Sequence, residues 1–158
     1  TKILGYIEKG KSEGAKVLTG GAPAHDKGYF LKPTILDNVH NEMTVAREEI
    51  FGPVLTIIRV PTLDDAIALQ NASLYGNGAS LYTQSGAHAN YVKERLTAGM
   101  IGINIGVPVP REPFSFGGMK ASKFGAGDIT GESSIQLWTE RVKYTTKWVA
   151  EAKTNWMS

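Results

Sequence analysis

The chain has 158 residues, of which 42% are hydrophobic and 20% charged; this is the composition of a folded globular protein long enough to bury a sizeable core, and it excludes an intrinsically disordered chain. Seventeen basic residues against 15 acidic leave a net charge of +2, an excess too small and too scattered to argue for nucleic acid or an anionic lipid surface as partner. Cysteine is absent, which excludes disulfides, cysteine-ligated zinc, iron–sulfur clusters and a cysteine nucleophile within this chain.

Residues 1–16 carry a helical pattern, with Ile3, Leu4 and Ile7 on one face. Gly5 and Gly10 weaken it by about 1 kcal/mol each relative to alanine, and Gly14 is a natural stop. Val17-Leu18-Thr19 reads as a short strand closed by Gly20-Gly21, followed by an exposed loop over residues 22–28. Tyr29 to Leu36 alternates around Pro33, which predicts an edge strand or extended segment. Residues 37–46 form a connector with room for one helical turn.

The connector delivers the chain to Arg47-Glu48-Glu49-Ile50-Phe51-Gly52-Pro53-Val54. Glycine opens backbone angles closed to other residues, and proline fixes φ and removes a donor, so this is a sharp, rigid corner. It feeds the apolar run 54–60. A carboxylate and an aromatic face held at a strand mouth suit a sugar hydroxyl and a flat heterocycle. The competing reading of Glu49 is a carboxylate that caps backbone N–H groups at the corner.

Pro61 ends the apolar run, and Thr62 with Asp65 three residues on predicts a capped helix with Leu63, Ala66 and Ile67 inward. Residues 79–83 form a second strand, Ser85 caps a further helix that Gly99 stops, and Met100 to Ile105 is a third apolar strand. Strand–helix–strand–helix–strand with short connections predicts an α/β architecture: a parallel sheet flanked by helices. Ligands on such sheets gather at the carboxyl ends of strands, which directs attention to Gly106-Val107-Pro108-Val109-Pro110-Arg111-Glu112-Pro113-Phe114-Ser115-Phe116-Gly117-Gly118. Phe114 and Phe116 either line an apolar cavity there or fill core beneath a loop. Gly125-x-Gly127-x-x-x-Gly131 lacks the context of a phosphate loop and is rejected as one. Glu132 to Leu137 reads as a short helix. Trp138 to Val149 alternates as a terminal strand that must pair elsewhere, with another subunit as the candidate.

Apolar runs fall short of a membrane span, and Thr1-Lys2-Ile3 opens no signal-peptide-like region. The expectation is cytoplasm, with the mitochondrial matrix as alternative. His25, His40 and His88 are far apart and read as solvated, so no metal site is expected.

Glu48-Glu49-Ile50-Phe51-Gly52-Pro53-Val54, then Gly99-Met100-Ile101-Gly102-Ile103-Asn104, then Phe116-Gly117-Gly118-x-Lys120-x-Ser122 resemble, in order and spacing, the C-terminal part of the aldehyde dehydrogenase superfamily. The closing Gln136-x-x-Thr139-x-x-Val142-x-x-x-Thr146 resembles that family's final helix and oligomerisation strand. Gly106 to Pro110 and Pro113 to Phe116 are most similar to methylmalonate-semialdehyde dehydrogenases, which acylate coenzyme A. The resemblance covers residues 1–149. It implies that residues 1–131 are part of the catalytic domain and 132–158 a terminal helix and oligomerisation tail.

It further implies that Glu49 binds the ribose hydroxyls of the nicotinamide half of NAD, with Phe51 packed near the nicotinamide. Asn104, Phe114 and Phe116 would lie in or near the substrate tunnel. The expected partners are a small aldehyde, coenzyme A and a second copy of the chain. The family's cysteine nucleophile, its oxyanion asparagine and its Rossmann-like cofactor domain all lie upstream of the segment that this sequence resembles. The chain alone is therefore expected to be inactive, the C-terminal third of an NAD-dependent acylating dehydrogenase. The alternative is a stand-alone module of the same descent that binds or assembles without catalysis.

Overall fold

A computed structural model describes residues 2–148 of the chain. Helix α1 (Lys2–Glu13) ends where Gly14 takes φ 109°. Gly10 is not the weak point that helix propensity makes it: a Cβ there would lie 3.0 Å from Val45 Cγ1. The missing side chain lets helix α2 (Thr44–Arg47) lie directly on α1. Strand β1 (Lys16–Thr19) turns at Gly20 and Gly21, both left-handed, into a loop that closes through the Pro23–Leu31 bridge.

Strand β2 (Thr34–Asp37) starts just after Pro33 and lies between β1 and β3 (Val54–Thr56), so it is the centre of a three-stranded sheet and not an edge. The proline sits outside the ladder because it has no N–H to give. β1 and β2 run antiparallel, and β2 and β3 run parallel with Thr34 opposite Val54. The parallel pairing continues one step past β3, where the Ile57 N–H donates to Leu36 O at 2.8 Å. Ile7, Leu36, Val39, Met43, Val45 and Ile50 form the core beneath this sheet. Full burial of one such aliphatic side chain contributes about 1.5–3 kcal/mol.

Helix α3 (Leu63–Ala72) is capped as its sequence predicts: the Asp65 N–H donates to Thr62 Oγ1 at 3.1 Å, and the Thr62 hydroxyl donates to Asp65 Oδ2 at 2.6 Å. Ile67 is its buried residue. Strand β4 (Tyr75–Gly76) follows, then β5 (Gly78–Leu81), helix α4 (Gly86–Lys93) with Ser85 Oγ accepting from the His88 N–H, and β6 (Met100–Ile103). β5 and β6 pair parallel from Gly78 opposite Met100 to Leu81 opposite Ile103. Strand β7 (Met119–Lys120) pairs antiparallel with β4, and α5 (Ser133–Trp138) closes the regular structure.

The α/β class holds, but the strands do not form the one parallel sheet expected from the three apolar runs. The sheets are mixed and small: β1-β2-β3, β4-β7 and β5-β6. β3 departs from the expectation because its corner is bonded to β2, with the Thr34 N–H donating to Pro53 O at 2.9 Å. Gly99 also differs from its reading as a helix stop. Helix α4 already ends at Lys93, and a Cβ on Gly99 would come within 2.3 Å of Gly117 O, so this glycine serves a backbone crossing. Trp138 belongs to α5, and residues 139–148 lie in no helix or strand; Val149, the last residue of the expected terminal strand, lies outside the described residues. None of the described helices is long and apolar enough to cross a membrane.

Candidate functional site

The corner at Glu49 is built by three packed contacts. A Cβ on Gly52 would sit 2.5 Å from Ile3 Cδ1, so the turn is pressed onto α1. The Val54 N–H donates to Gly52 O at 2.7 Å, and Pro53 contributes only its carbonyl to the ladder. On the near side, Tyr6 Oη donates to Glu48 Oε2 at 2.8 Å. The Glu48 carboxylate beside it raises the Tyr6 hydroxyl above its ordinary pKa. The two adjacent glutamates are thereby distinguished: Glu48 is tied back to α1, whereas Glu49 makes no side-chain hydrogen bond among the described residues. It caps no backbone N–H there, so the competing reading of Glu49 has no support.

Glu49 lines a cavity of about 560 Å³ with Arg47, Glu48, Tyr75, Asn77, Phe116 and Ser122 among its walls. A smaller cavity of about 220 Å³ adjoins it and shares Ala46, Arg47 and Ser73. The far wall comes from two segments clamped together. The Gly76 N–H donates to Ser122 Oγ at 3.2 Å and the Ala121 N–H to Leu74 O at 3.1 Å. Phe116 is held by its own N–H, which donates to Thr130 Oγ1 at 2.9 Å. Beside it, Lys123 Nζ donates to Asp128 Oδ1 at 2.8 Å, and Ser133 Oγ lies 2.6 Å from Ser115 Oγ and 3.2 Å from Asp128 Oδ2. The Lys123 ammonium holds the Asp128 carboxyl below the usual carboxylate range. Carboxylate and hydroxyl oxygens and an aromatic residue thus line one cavity.

Of the five residues singled out in the sequence, Glu49 and Phe116 meet in this cavity. Phe51 does not line it. Its backbone is left-handed at φ 56° and the residue is 83% exposed, a strained conformation for a residue other than glycine. Asn104 lies elsewhere, at the end of β6 with φ 57°. Its amide clasps the segment just after β5: Oδ1 accepts from the Thr83 N–H at 2.8 Å and Nδ2 donates to Thr83 O at 2.9 Å. Phe114 is exposed on the loop. Tyr75 and Asn77 were missed by the sequence reading; nothing in their spacing marks them, because only the β4–β7 pairing brings them to the cavity. Among the described residues no cluster of acidic or histidine side chains can hold a metal.

This arrangement, a glutamate at a glycine–proline corner facing a glycine-rich clamp, coincides with a family assignment. The model of the aldehyde dehydrogenase family matches residues 1–144, and the chain belongs to that family. Among curated relatives it is similar to malonate-semialdehyde dehydrogenase 2 of Shouchella clausii, 45% identical over 149 residues that cover 93% of this chain and 31% of the relative. The malonate-semialdehyde dehydrogenase of Bacillus subtilis is 44% identical over 150 residues, 94% of this chain and 31% of that protein. Among solved structures, methylmalonate-semialdehyde dehydrogenase from Oceanimonas doudoroffii superposes with TM-score 0.86 at 40% identity, over 95% of this chain and 32% of that one. The NAD+ complex of an aldehyde dehydrogenase from Bacillus cereus superposes with TM-score 0.81 at 39% identity, over 88% of this chain and 28% of that one. The chain therefore spans about 31% of the length of the curated relatives it matches.

Proposed function

We infer that this chain is the carboxyl-terminal third of an NAD-dependent (methyl)malonate-semialdehyde dehydrogenase that forms an acyl-coenzyme A. Within it, Glu49 accepts hydrogen bonds from the ribose hydroxyls beside the nicotinamide. The observation that carries this reading is the free Glu49 carboxylate facing a cavity while its neighbour Glu48 is held by Tyr6. An ionised carboxylate only accepts, so a pair of vicinal hydroxyls is its natural partner. Phe51 offers an exposed ring two residues away for the nicotinamide face. Phe114 and Phe116 belong to the apolar tunnel of the aldehyde, and Asn104 holds the base of that tunnel's loop. The likeness to semialdehyde dehydrogenases over more than nine-tenths of the chain supports this substrate class.

Thiolate attack on the aldehyde needs a cysteine, which the chain lacks; serines do not replace it without a paired base. Catalysis then belongs to a complete enzyme in which an upstream segment supplies nucleophile, oxyanion donors and the other half of the NAD site. The exposed Val142, Tyr144 and Trp148 support a tail that pairs with a second subunit. Calorimetric titration of NAD tests the cofactor reading. In the complete enzyme, Glu49→Gln weakens NAD binding about tenfold, the loss of roughly one charge-assisted hydrogen bond. The isolated chain binds NAD no better than millimolar, because half a site gives little affinity. Unaltered affinity in the Glu49→Gln enzyme overturns the assignment.

A further inference from the structure

Lys120 does not itself line the Glu49 cavity, yet it joins two segments that do. Its backbone lies in β7 opposite Tyr75, in a left-handed conformation at φ 56°. Its ammonium donates to Asn71 O at 2.8 Å and to Ser73 O at 3.0 Å. Those carbonyls lie at the end of α3, a helix with no basic residue in its own last turn. Helix carboxyl ends present unpaired carbonyls and partial negative charge, and a cation that reaches them from another segment satisfies both. The Asn71 side chain is itself held, Nδ2 donating to Arg95 O and Oδ1 accepting from the Thr97 N–H, each at 2.8 Å. The anchor point is therefore rigid.

On the same segment, Ala121 bonds to Leu74 and Ser122 to Gly76. Three successive residues, 120–122, thus grip residues 71–76 by an ammonium, an amide and a hydroxyl. Ser73 and Tyr75 on one side of this grip, and Ala121 and Ser122 on the other, are cavity-lining residues across from Glu49. We propose that Lys120 is a positioning residue for the cofactor: it fixes the far wall at the separation from Glu49 that the nicotinamide ribose requires. This rests on the NAD reading above. Without the ammonium, the carbonyls of Asn71 and Ser73 lose that donor, and residues 119–122 loosen from residues 71–76.

The test uses Lys120→Met, which keeps an unbranched side chain one atom shorter and removes its donors, and Lys120→Arg, which keeps the charge. In the complete enzyme, calorimetry of K120M gives an NAD Kd raised about tenfold with aldehyde KM unchanged, and K120R recovers most of the affinity. In the 158-residue chain, amide exchange by NMR is faster at Gly76 and Ala121 in K120M and unchanged at Thr34 and Ile57, which belong to the other sheet. A merely structural lysine would lower Tm and the fraction of active enzyme at an unchanged NAD Kd, which overturns the proposal. Unchanged exchange at Gly76 and Ala121 also overturns it. A wild-type enzyme that binds no NAD removes the cofactor reading and this inference with it. Normal wild-type binding with an unaltered K120M Kd removes this inference alone.

Discussion

Adjacent residues at the corner are bonded differently by what lies behind them. Both line the cavity, but Glu48 is anchored by Tyr6 across 42 positions of sequence, whereas Glu49 makes no side-chain hydrogen bond among the described residues. Phe51 pairs a left-handed backbone with an exposed ring, an arrangement that packing does not explain. A non-glycine residue in that region costs about 1 kcal/mol or more. Phe51→Gly is accordingly expected to leave the chain's urea-unfolding free energy unchanged or raised by up to about 1 kcal/mol, while it weakens NAD binding in the complete enzyme. A fall in stability of more than that would show the ring to be a packing residue. Gly99 makes the opposite point, since a Cβ there would lie 2.3 Å from Gly117 O. Gly99→Ala is expected to lower stability by about 1–3 kcal/mol, the usual cost of overpacking, read as a lower urea midpoint. An unchanged midpoint would mean that the backbone crossing is loose.

Elements here are held by side chains borrowed from other elements. Helix α2 has no side-chain cap of its own; Met43 stands at its N-cap, and Glu13 at the end of α1 takes that role. Glu13 Oε2 accepts from the Thr44 N–H at 2.8 Å and Oε1 from the Thr44 hydroxyl at 2.7 Å, and these bonds hold the Glu13 carboxyl below its ordinary pKa. A carboxyl with a depressed folded pKa stabilises the fold fully above its unfolded value, about 4.3 for glutamate, and loses that contribution as pH falls through the folded value. Glu13→Gln is therefore expected to lower the urea midpoint at neutral pH and to have its effect shrink progressively below about pH 4. A deficit equal at all pH values would show that shape, not charge, matters there.

The same borrowing explains what the sequence made legible and what it did not. The caps at Thr62 and Ser85 and the turn at Gly52-Pro53 are local: donor and acceptor lie within three residues, so their spacing reveals them. The grip of Lys120 on Asn71 and Ser73 spans 49 and 47 residues and leaves no periodic trace. Pairing is likewise non-local: the apolar run after Pro53 marks a strand, but only the Thr34–Pro53 bond shows that its partner is β2. Glu49 and Phe116 were visible as chemistry-bearing residues, while Tyr75 and Asn77 required the fold.

At the scale of the whole molecule, several large aromatic side chains of the described residues are exposed: Phe51, Tyr82, Phe124, Trp138, Tyr144 and Trp148. Exposed apolar side chains mark contacts with other protein where they are contiguous. The chain spans about 31% of the length of the curated relatives it matches; on the reading proposed above, the remainder covers part of these side chains and completes the cofactor site. Alone, the chain is expected to associate with itself, with a light-scattering mass above that of a monomer at high concentration. A strictly monomeric chain under those conditions would count against this account. The most direct measurement is the sequence of the gene upstream of the codon for Thr1. The account predicts a continuous open frame that encodes a dinucleotide-binding domain and a cysteine nucleophile. An in-frame stop codon followed by a start codon immediately before Thr1 would contradict it.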